Sequence, residues 1–569
     1  MSREQITILG LNDSNSAAAI IQDGKLIAMA REERFNRIKF DDSYPTQAVN
    51  YCLKEAGVTL KELDHVVFAW NPGHELEPQD SAAAVRYHKH FLHYIPNNLI
   101  RHIGGDKKNK RITGISEQIR FLEGDIVLHF LPHHPCHAAS SFFTSPYEKA
   151  AILTIDAYGD DVTSECFLGE GNKMRSIGQT LFPHSMGQVY AAVTQFLGYS
   201  ANSDEWKVMG LASYGNLEYY DRFAKVFWFD KEMGELRLDL DYFKFYLWHP
   251  RRYSDKFIKV FGPERYPNDE LAKWHWNIAA SFQRRVEDVV LEMCTYLHEK
   301  TGADNLCLAG GVAMNSKMNG RILLESPFSK VWVQPSADDA GGSIGSCFYY
   351  WHQVLGKKRS FVMDHDYWGP GYSNVEIKQA LDDSLVKYEY LEDIEQEAAK
   401  ALVDNKVICW FQGRMESGQR ALGNRSILGD PRDPKMKEKI NKLVKHREWY
   451  RPFAPSVIEE SQSEFFANSM SSPFMQLVLP VRKDKQDVIP AVTHVDCSGR
   501  LQTVQKDVNP RYWKLINEFK ELTGIGIVLN SSFNDNNEPI VCSPKDAIRT
   551  FFCTGLHELY IGNYKVWKS

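Results

Sequence analysis

Residues 413–431 read GRMESGQRALGNRSILGDP, with Arg414, Arg420 and Arg425 set among four glycines. So few large apolar residues predict a loop that stays out of any core. Glycine lets a backbone approach a ligand closely, and arginine presents a planar fork of donors matched to phosphate and carboxylate oxygens. Two segments of the same kind follow. Residues 445–456, KHREWYRPFAPS, add Lys445, Arg447 and Arg451. Residues 530–534, NSSFN, place Asn530 and Ser532 directly behind an apolar run. Together they predict a pocket for a polyanion.

A second constellation suits a metal. In HHPCHAASSFF, which starts at His133, a helix opening with Pro135 in its first turn puts His133 and His137 on one face. Neutral imidazole nitrogens bind iron, zinc, copper or nickel. The third ligand must come from afar; Asp339 and its neighbour Asp338, before Ala-Gly-Gly, are the candidates. Two imidazoles and a carboxylate leave coordination positions open, as a working metal requires. His134, rotated about 100° around the helix, is a candidate substrate contact.

Gly310-Gly311-Val-Ala-Met-Asn315 follows a predicted strand, where paired glycines allow close contact with a nucleotide or simply a tight strand-to-helix turn. The stretch has neither the GK[ST] of a P-loop nor a GxGxxG. Asp156, with Asp160 or Asp161, is placed to hold a metal or an acceptor hydroxyl, or to cap a turn.

The elements that must position these groups alternate. Strands are predicted at 6–11, 17–21 and 26–30 (the last two joined at Asp23-Gly24), then at 151–155, 305–309 and 330–333, with a helix over 274–299. Strand, acidic or glycine turn, then helix is the grammar of an α/β domain with ligands at strand ends. Residues 356–373 change character and read as a linker. Beyond them, helices are predicted at 375–381 and 393–404, with strands at 407–411 and 526–529 leading into the arginine loop and NSSFN. Residues 230–268, rich in Tyr, Phe, Trp and Arg, suit a cover over an acceptor or an interaction surface.

A chain of 569 residues exceeds one core, so two domains are expected, 1–355 and 373–569. The net charge of −6 argues against a nucleic-acid partner. Ten scattered cysteines without a CxxC pair predict reduced thiols. With no signal-peptide pattern and no apolar run long enough to cross a bilayer, the expected location is cytoplasmic, with no membrane partner.

The ordered segments LGLNDSNSAAAIIQDGKLIAMAREERFNR, HHPCHAAS, WKVMGLASYG, LAGGVAMNSKMNGRI, DDAGGSIG, ESGQRALGNRSILGDPR, KHREWYRPFAPS, HVDCSGRLQTV and NSSFN strongly resemble the NodU/CmcH/TobZ carbamoyltransferases across nearly the whole chain. The resemblance implies an N-terminal domain of the actin-like ATPase superfamily, similar to tRNA threonylcarbamoyl-transfer enzymes. It also implies a C-terminal YrdC-like domain that makes carbamoyl-adenylate from carbamoyl phosphate and ATP with Mg2+. The carbamoyl group then passes to a hydroxyl, or an amine, of a small-molecule acceptor.

On this resemblance Arg420, Lys445, Arg451, Arg500 and Ser532 match the family's anion-binding positions, with Asn530 and Arg414 as neighbours. His133, His137 and Asp339 fall on its metal triad, an Fe(II) site open to other divalent ions. Gly310, Gly311, Asn315, Asp156, Asp13 and His134 are the candidate nucleotide and acceptor contacts, and a homodimer is the candidate assembly. One departure stands out: relatives carry His-Asp where this chain has Ser14-Asn15, beside Asp13. Two other readings remain: a small-molecule kinase of the same superfamily, which would yield ADP, and a YrdC-like RNA-binding or regulatory protein, which would need a basic stripe.

Overall fold

The computed structural model describes residues 5–70, 128–247, 249–468 and 470–568. The chain divides into two compact units, Met1–Glu32 with Phe40–Met363, and Glu33–Lys39 with Asp364–Ser569.

The first unit holds two five-stranded sheets. In one, β1 (Thr7–Asn12), β2 (Ala17–Gln22) and β3 (Lys25–Arg31) run antiparallel, while β4 (His65–Phe68) and β5 (Leu128–Phe130) continue parallel from β1. The strand order is β3-β2-β1-β4-β5. The other sheet repeats the pattern. Its antiparallel strands are β6 (Lys149–Gly159), β7 (Val162–Glu170) and β8 (Lys173–Leu181). A small hairpin of β9 (Phe227–Asp230) and β10 (Glu235–Leu238) intervenes in the chain. Then β11 (Asn305–Ala309) and β12 (Lys330–Val333) run parallel to β6, giving the order β8-β7-β6-β11-β12. This duplicated arrangement is the actin-like architecture expected above. The apolar runs become strands because they are buried on both faces; every residue of β1 is buried.

Between the sheets, the helix His133–Phe142 meets the helix Gly342–Tyr349 at close range. Gly345 makes this possible, since a Cβ there would lie 1.9 Å from the Cys136 carbonyl oxygen. Part of the aromatic segment 230–268 packs into the core of the first unit. Phe257 and Phe261 are buried, with Phe261 packed on Phe223 at a ring-centroid distance of 4.3 Å.

The second unit is built on one nine-stranded mixed sheet. Its strands are β13 (Tyr388–Tyr390), β14 (Ile408–Phe411), β15 (Arg425–Gly429), β16 (Ala454–Ile458), β17 (Leu477–Pro480), β18 (Ser498–Val504), β19 (Ile527–Ser532), β20 (Glu558–Ile561) and β21 (Tyr564–Trp567). They are ordered β13-β21-β20-β14-β15-β19-β16-β18-β17.

Two consecutive domains do not describe this chain fully, because residues 33–39 belong to the second unit. Arg34 donates to the Gly418 carbonyl at 2.9 Å, and Arg37 donates to the carbonyls of Pro539 and Ile540 at 2.6 and 2.7 Å. Phe35 packs on Met415, Ile540 and Cys542.

Candidate metal centre and anion pocket

In the first unit, Pro135 sits in the first turn of the helix that starts at His133. The His133 backbone N–H, one of the donors a helix start leaves over, is met by Asp160 Oδ2 at 2.8 Å. Asp160 therefore caps. One helical turn separates His133 from His137, and their Nε2 atoms stand 3.0 Å apart. Asp156, in β6, brings Oδ2 to 3.1 Å from His137 Nε2 and 3.5 Å from His133 Nε2. Asp339, in the turn ahead of the helix Gly342–Tyr349, brings Oδ1 to 3.3 and 3.5 Å from the same atoms. One donor atom from each of these four residues lies within 4.8 Å of the others.

The outer contacts aim the set. His133 Nδ1 lies 3.1 Å from the Ala69 carbonyl; a carbonyl only accepts, so Nδ1 carries the proton and the Nε2 lone pair faces inward. Asp156 Oδ1 accepts from the Ala157 N–H at 2.7 Å. Burial disfavours imidazolium at both histidines, yet hydrogen bonds to Asp156 and Asp339 outweigh it and raise both histidines above their ordinary value, His133 strongly. Burial opposes ionisation of the two aspartates, but the histidines hold both below the usual carboxylate range.

Asp339 Oδ1 is buried with only the two histidine Nε2 atoms, at 3.3 and 3.5 Å, beside it, and His137 Nδ1 is buried with no hydrogen-bond partner among the described residues. Two imidazole nitrogens and two carboxylate oxygens gathered within 4.8 Å of one another fit a divalent transition metal.

Several expectations change here. Asp338 is not a ligand; it forms a buried bidentate pair with Arg31 at 2.7 and 2.8 Å. His134 is not open to substrate, because its ring nitrogens engage Thr154 Oγ1 at 2.7 Å and the Val162 carbonyl at 3.0 Å. Gly310 and Gly311 face protein. Gly310 has φ +91°, and a Cβ there would lie 2.2 Å from the Ile155 carbonyl oxygen. A Cβ on Gly311 would lie 2.9 Å from Asp156 Oδ1. Asn315 exchanges amide hydrogen bonds with Gln283 at 3.0 and 3.1 Å and caps the helix Ser316–Glu325. Asp13 lies half-buried in the turn after β1. Asp156 moves from the nucleotide set into the metal cluster.

In the second unit, cations converge on adjacent strands of the sheet. Lys445 is buried, and its Nζ donates to the Ser532 carbonyl at 2.5 Å, the Asn534 carbonyl at 2.9 Å and Asn534 Oδ1 at 2.7 Å. Ser532 Oγ donates to Asn534 Oδ1 at 2.6 Å. Arg447 donates to Ser531 Oγ at 3.1 Å and stands 4.5 Å from the centre of the Phe453 ring. Arg451 reaches Glu448 at 3.5 Å.

Burial, then Arg420, Arg447 and Arg451, push Arg500 well below its ordinary value. Burial, then Arg447, Arg451 and Lys39, do the same to Lys445, against Asp535. The Nε atoms of Arg447 and Arg500 are buried with no hydrogen-bond partner among the described residues. So many like charges held together out of water are costly until an anion joins them.

Asn530 supports this pocket from below. Its Nδ2 donates to the Ala421 carbonyl, Ser456 Oγ and Gln502 Oε1 at 3.0–3.1 Å, while Gln502 holds the Leu422 carbonyl at 2.8 Å. These bonds fix the chain directly after Arg420. Arg414 serves the backbone, donating to the carbonyls of Gly369 and Trp368 at 3.1 and 2.7 Å.

The arginine loop is not solvated either, since residues 415–418 and 421–431 are buried. Buried Glu416 gathers the N–H groups of Leu422, Asn424 and Arg425, and fully buried Arg425 stacks on Phe411 at 3.6 Å. Internal partners take up backbone N–H groups that composition assigned to water.

Residues 7–348 match the family described as Carbamoyltransferase N-terminus, and residues 399–568 match Carbamoyltransferase C-terminus. The chain belongs to the carbamoyltransferase family. This family member is 39% identical to the uncharacterized protein sll1178 of Synechocystis sp., over 99% of this chain and 97% of that one. It is 35% identical to nodulation protein NolNO of Sinorhizobium fredii, over 97% of this chain and 79% of NolNO. Among solved structures, HypF of T. kodakarensis is similar over 62% of this chain and 48% of that one, with 10% identity and a TM-score of 0.35. Arg447, read from KHREWYR as part of the polyanion pocket, lies in this cation cluster, whereas Lys39 was missed, because no local pattern ties it to a pocket on the second unit.

Proposed function

We propose that this carbamoyltransferase is ATP-dependent and works in two stages. In the second unit, carbamoyl phosphate is hydrolysed to carbamate and phosphate. A carbamate oxygen then attacks the α-phosphorus of Mg2+-bound ATP, and pyrophosphate leaves, giving carbamoyl-adenylate. At the metal centre of the first unit, a hydroxyl or amine of a small-molecule acceptor attacks the carbamoyl carbon. AMP departs and the acceptor's proton is lost.

The convergence of Arg420, Lys445, Arg447, Arg451 and Arg500 supports this reading above all, since the reactants are polyanions and charge moves onto leaving oxygens. Lys445, held by Ser532 and Asn534, provides a fixed point charge, and the arginines orient phosphate oxygens. His133, His137, Asp156 and Asp339 would hold the divalent ion, iron(II) being the first candidate. When bound, it supplies a Lewis acid for phosphate or carbonyl oxygens.

The test is nucleotide product analysis with ATP, Mg2+ and carbamoyl phosphate, omitting each in turn. AMP and pyrophosphate that depend on carbamoyl phosphate, and that Arg420→Ala and Arg451→Ala abolish, are expected. ADP as the product, or full AMP formation by both variants, would overturn the proposal.

A further inference from the structure

Two carboxylates complete the metal centre, and each has one oxygen inward and one outward. Asp156 keeps Oδ2 on the histidines, while Oδ1 accepts from the Ala157 backbone at 2.7 Å. Asp339 keeps Oδ1 on the histidines, and its Oδ2 accepts from the hydroxyl of Ser14 at 2.6 Å. The first clamp is backbone and comes with the strand. The second is a single side chain reaching across from the turn between β1 and β2.

The turn has the shape this reach needs. Asn15 adopts a left-handed φ of +49°, and the Asn15 N–H is held by Asp42 Oδ1 at 3.1 Å. The Asn12 side chain donates to the Ser14 carbonyl at 2.5 Å, pinning the residue from the other side. Asp339 is the more exposed carboxylate, its side chain 18% accessible against 10% for Asp156. Without an outer partner it is the ligand freer to rotate or to bind through both oxygens.

We propose that Ser14 is a positioning residue that fixes Asp339 as a one-oxygen ligand of the metal centre. Its proton is committed to Asp339, so its task is orientation rather than proton abstraction from the acceptor. The proposal rests on reading the four-residue cluster as a cation site.

Metal-free protein is titrated with Co2+, a spectroscopic probe, with affinity read by chelator competition and geometry by the visible absorption bands. Ser14→Ala is expected to bind Co2+ roughly 10- to 100-fold more weakly, in the range of lost outer-shell contacts, with altered bands. Ser14→Thr, which keeps the hydroxyl, is expected to restore both. His133→Ala with His137→Ala is the control. If the His variants lose Co2+ while Ser14→Ala matches the wild type in affinity and spectrum, the Ser14 role is overturned and the metal reading stands. If the wild type binds no Co2+, or the His variants bind it unchanged, the metal reading falls and the Ser14 role falls with it.

Discussion

His133 Nε2 and His137 Nε2 face each other at 3.0 Å across one helical turn, with a carboxylate oxygen from Asp156 and another from Asp339 beside them. Two lone pairs cannot share that space without a proton or a cation between them. Hydrogen bonds to the aspartates overcome burial and raise both histidines, so protons already compete at and above the ordinary histidine range. A divalent ion should therefore expel protons on binding, and its affinity should fall as pH drops through the histidines' raised range. Calorimetry in buffers of different ionisation enthalpy measures the released protons; their absence would refute this.

The two stages should separate by mutation. His137→Ala is expected to lose acceptor carbamoylation yet keep pyrophosphate exchange into ATP that depends on carbamoyl phosphate. Arg500→Ala should instead lose roughly 100-fold or more of adenylate formation, and with it acceptor carbamoylation, while binding Co2+ normally. Equal loss of both activities in both variants would count against two chemically distinct stages.

Burial, together with Arg447, Arg451 and Lys39, leaves Lys445 ready to give up its proton. Its depressed folded-state value means that positive charge, and with it anion affinity, declines as pH rises through that value. Pyrophosphate binding should weaken on the alkaline side, and Lys445→Met should bind weakly with a flatter profile. Equilibrium dialysis across pH would show it; a wild-type profile in the variant would contradict it.

Glu165, buried in β7, is raised from 4.5 to about 7, by burial first and then by Asp160. Below 4.5 the folded and unfolded chains both hold the proton, and the group costs nothing. As pH climbs toward 7 the unfolded chain ionises first, and the fold loses roughly 3 kcal/mol, a loss complete above the folded-state value. Glu165→Gln should thus gain thermal stability relative to the wild type as pH rises from about 5 to about 8. A difference in melting temperature that stays constant over that range would exclude this account.

Strand positions in the first unit were legible because short, mostly apolar runs ahead of glycine or acidic turns mark strands: 305–309 and 330–333 were read to the residue. The His133–His137 pair was legible from helical spacing and the placement of Pro135. Asp156 was read as able to hold a metal or an acceptor hydroxyl or to cap a turn, but was not joined to the His133–His137–Asp339 set, because Asp156 and Asp339 meet only through tertiary packing. The arginine loop was misread for a different reason. Its composition signals solvent, whereas Glu416 and Asp366 satisfy its backbone internally. Residue type gave Arg425 the same weight as Arg420, yet one is a core brace stacked on Phe411 and the other belongs to the cation cluster.

The stretch Glu33–Lys39 has a consequence for how this polypeptide matures. It leaves the ribosome early, but Gly418, Pro539 and Ile540, whose carbonyls its arginines hold, are made much later. During synthesis it must wait, tethered between β3 and the rest of the first unit, until nearly the whole chain is out. Splitting the gene between Met363 and Asp364, where the two units part, would therefore not yield two self-sufficient proteins. The downstream half would emerge without its early-made strap, leaving the Met415–Ile540–Cys542 cluster uncovered by Phe35.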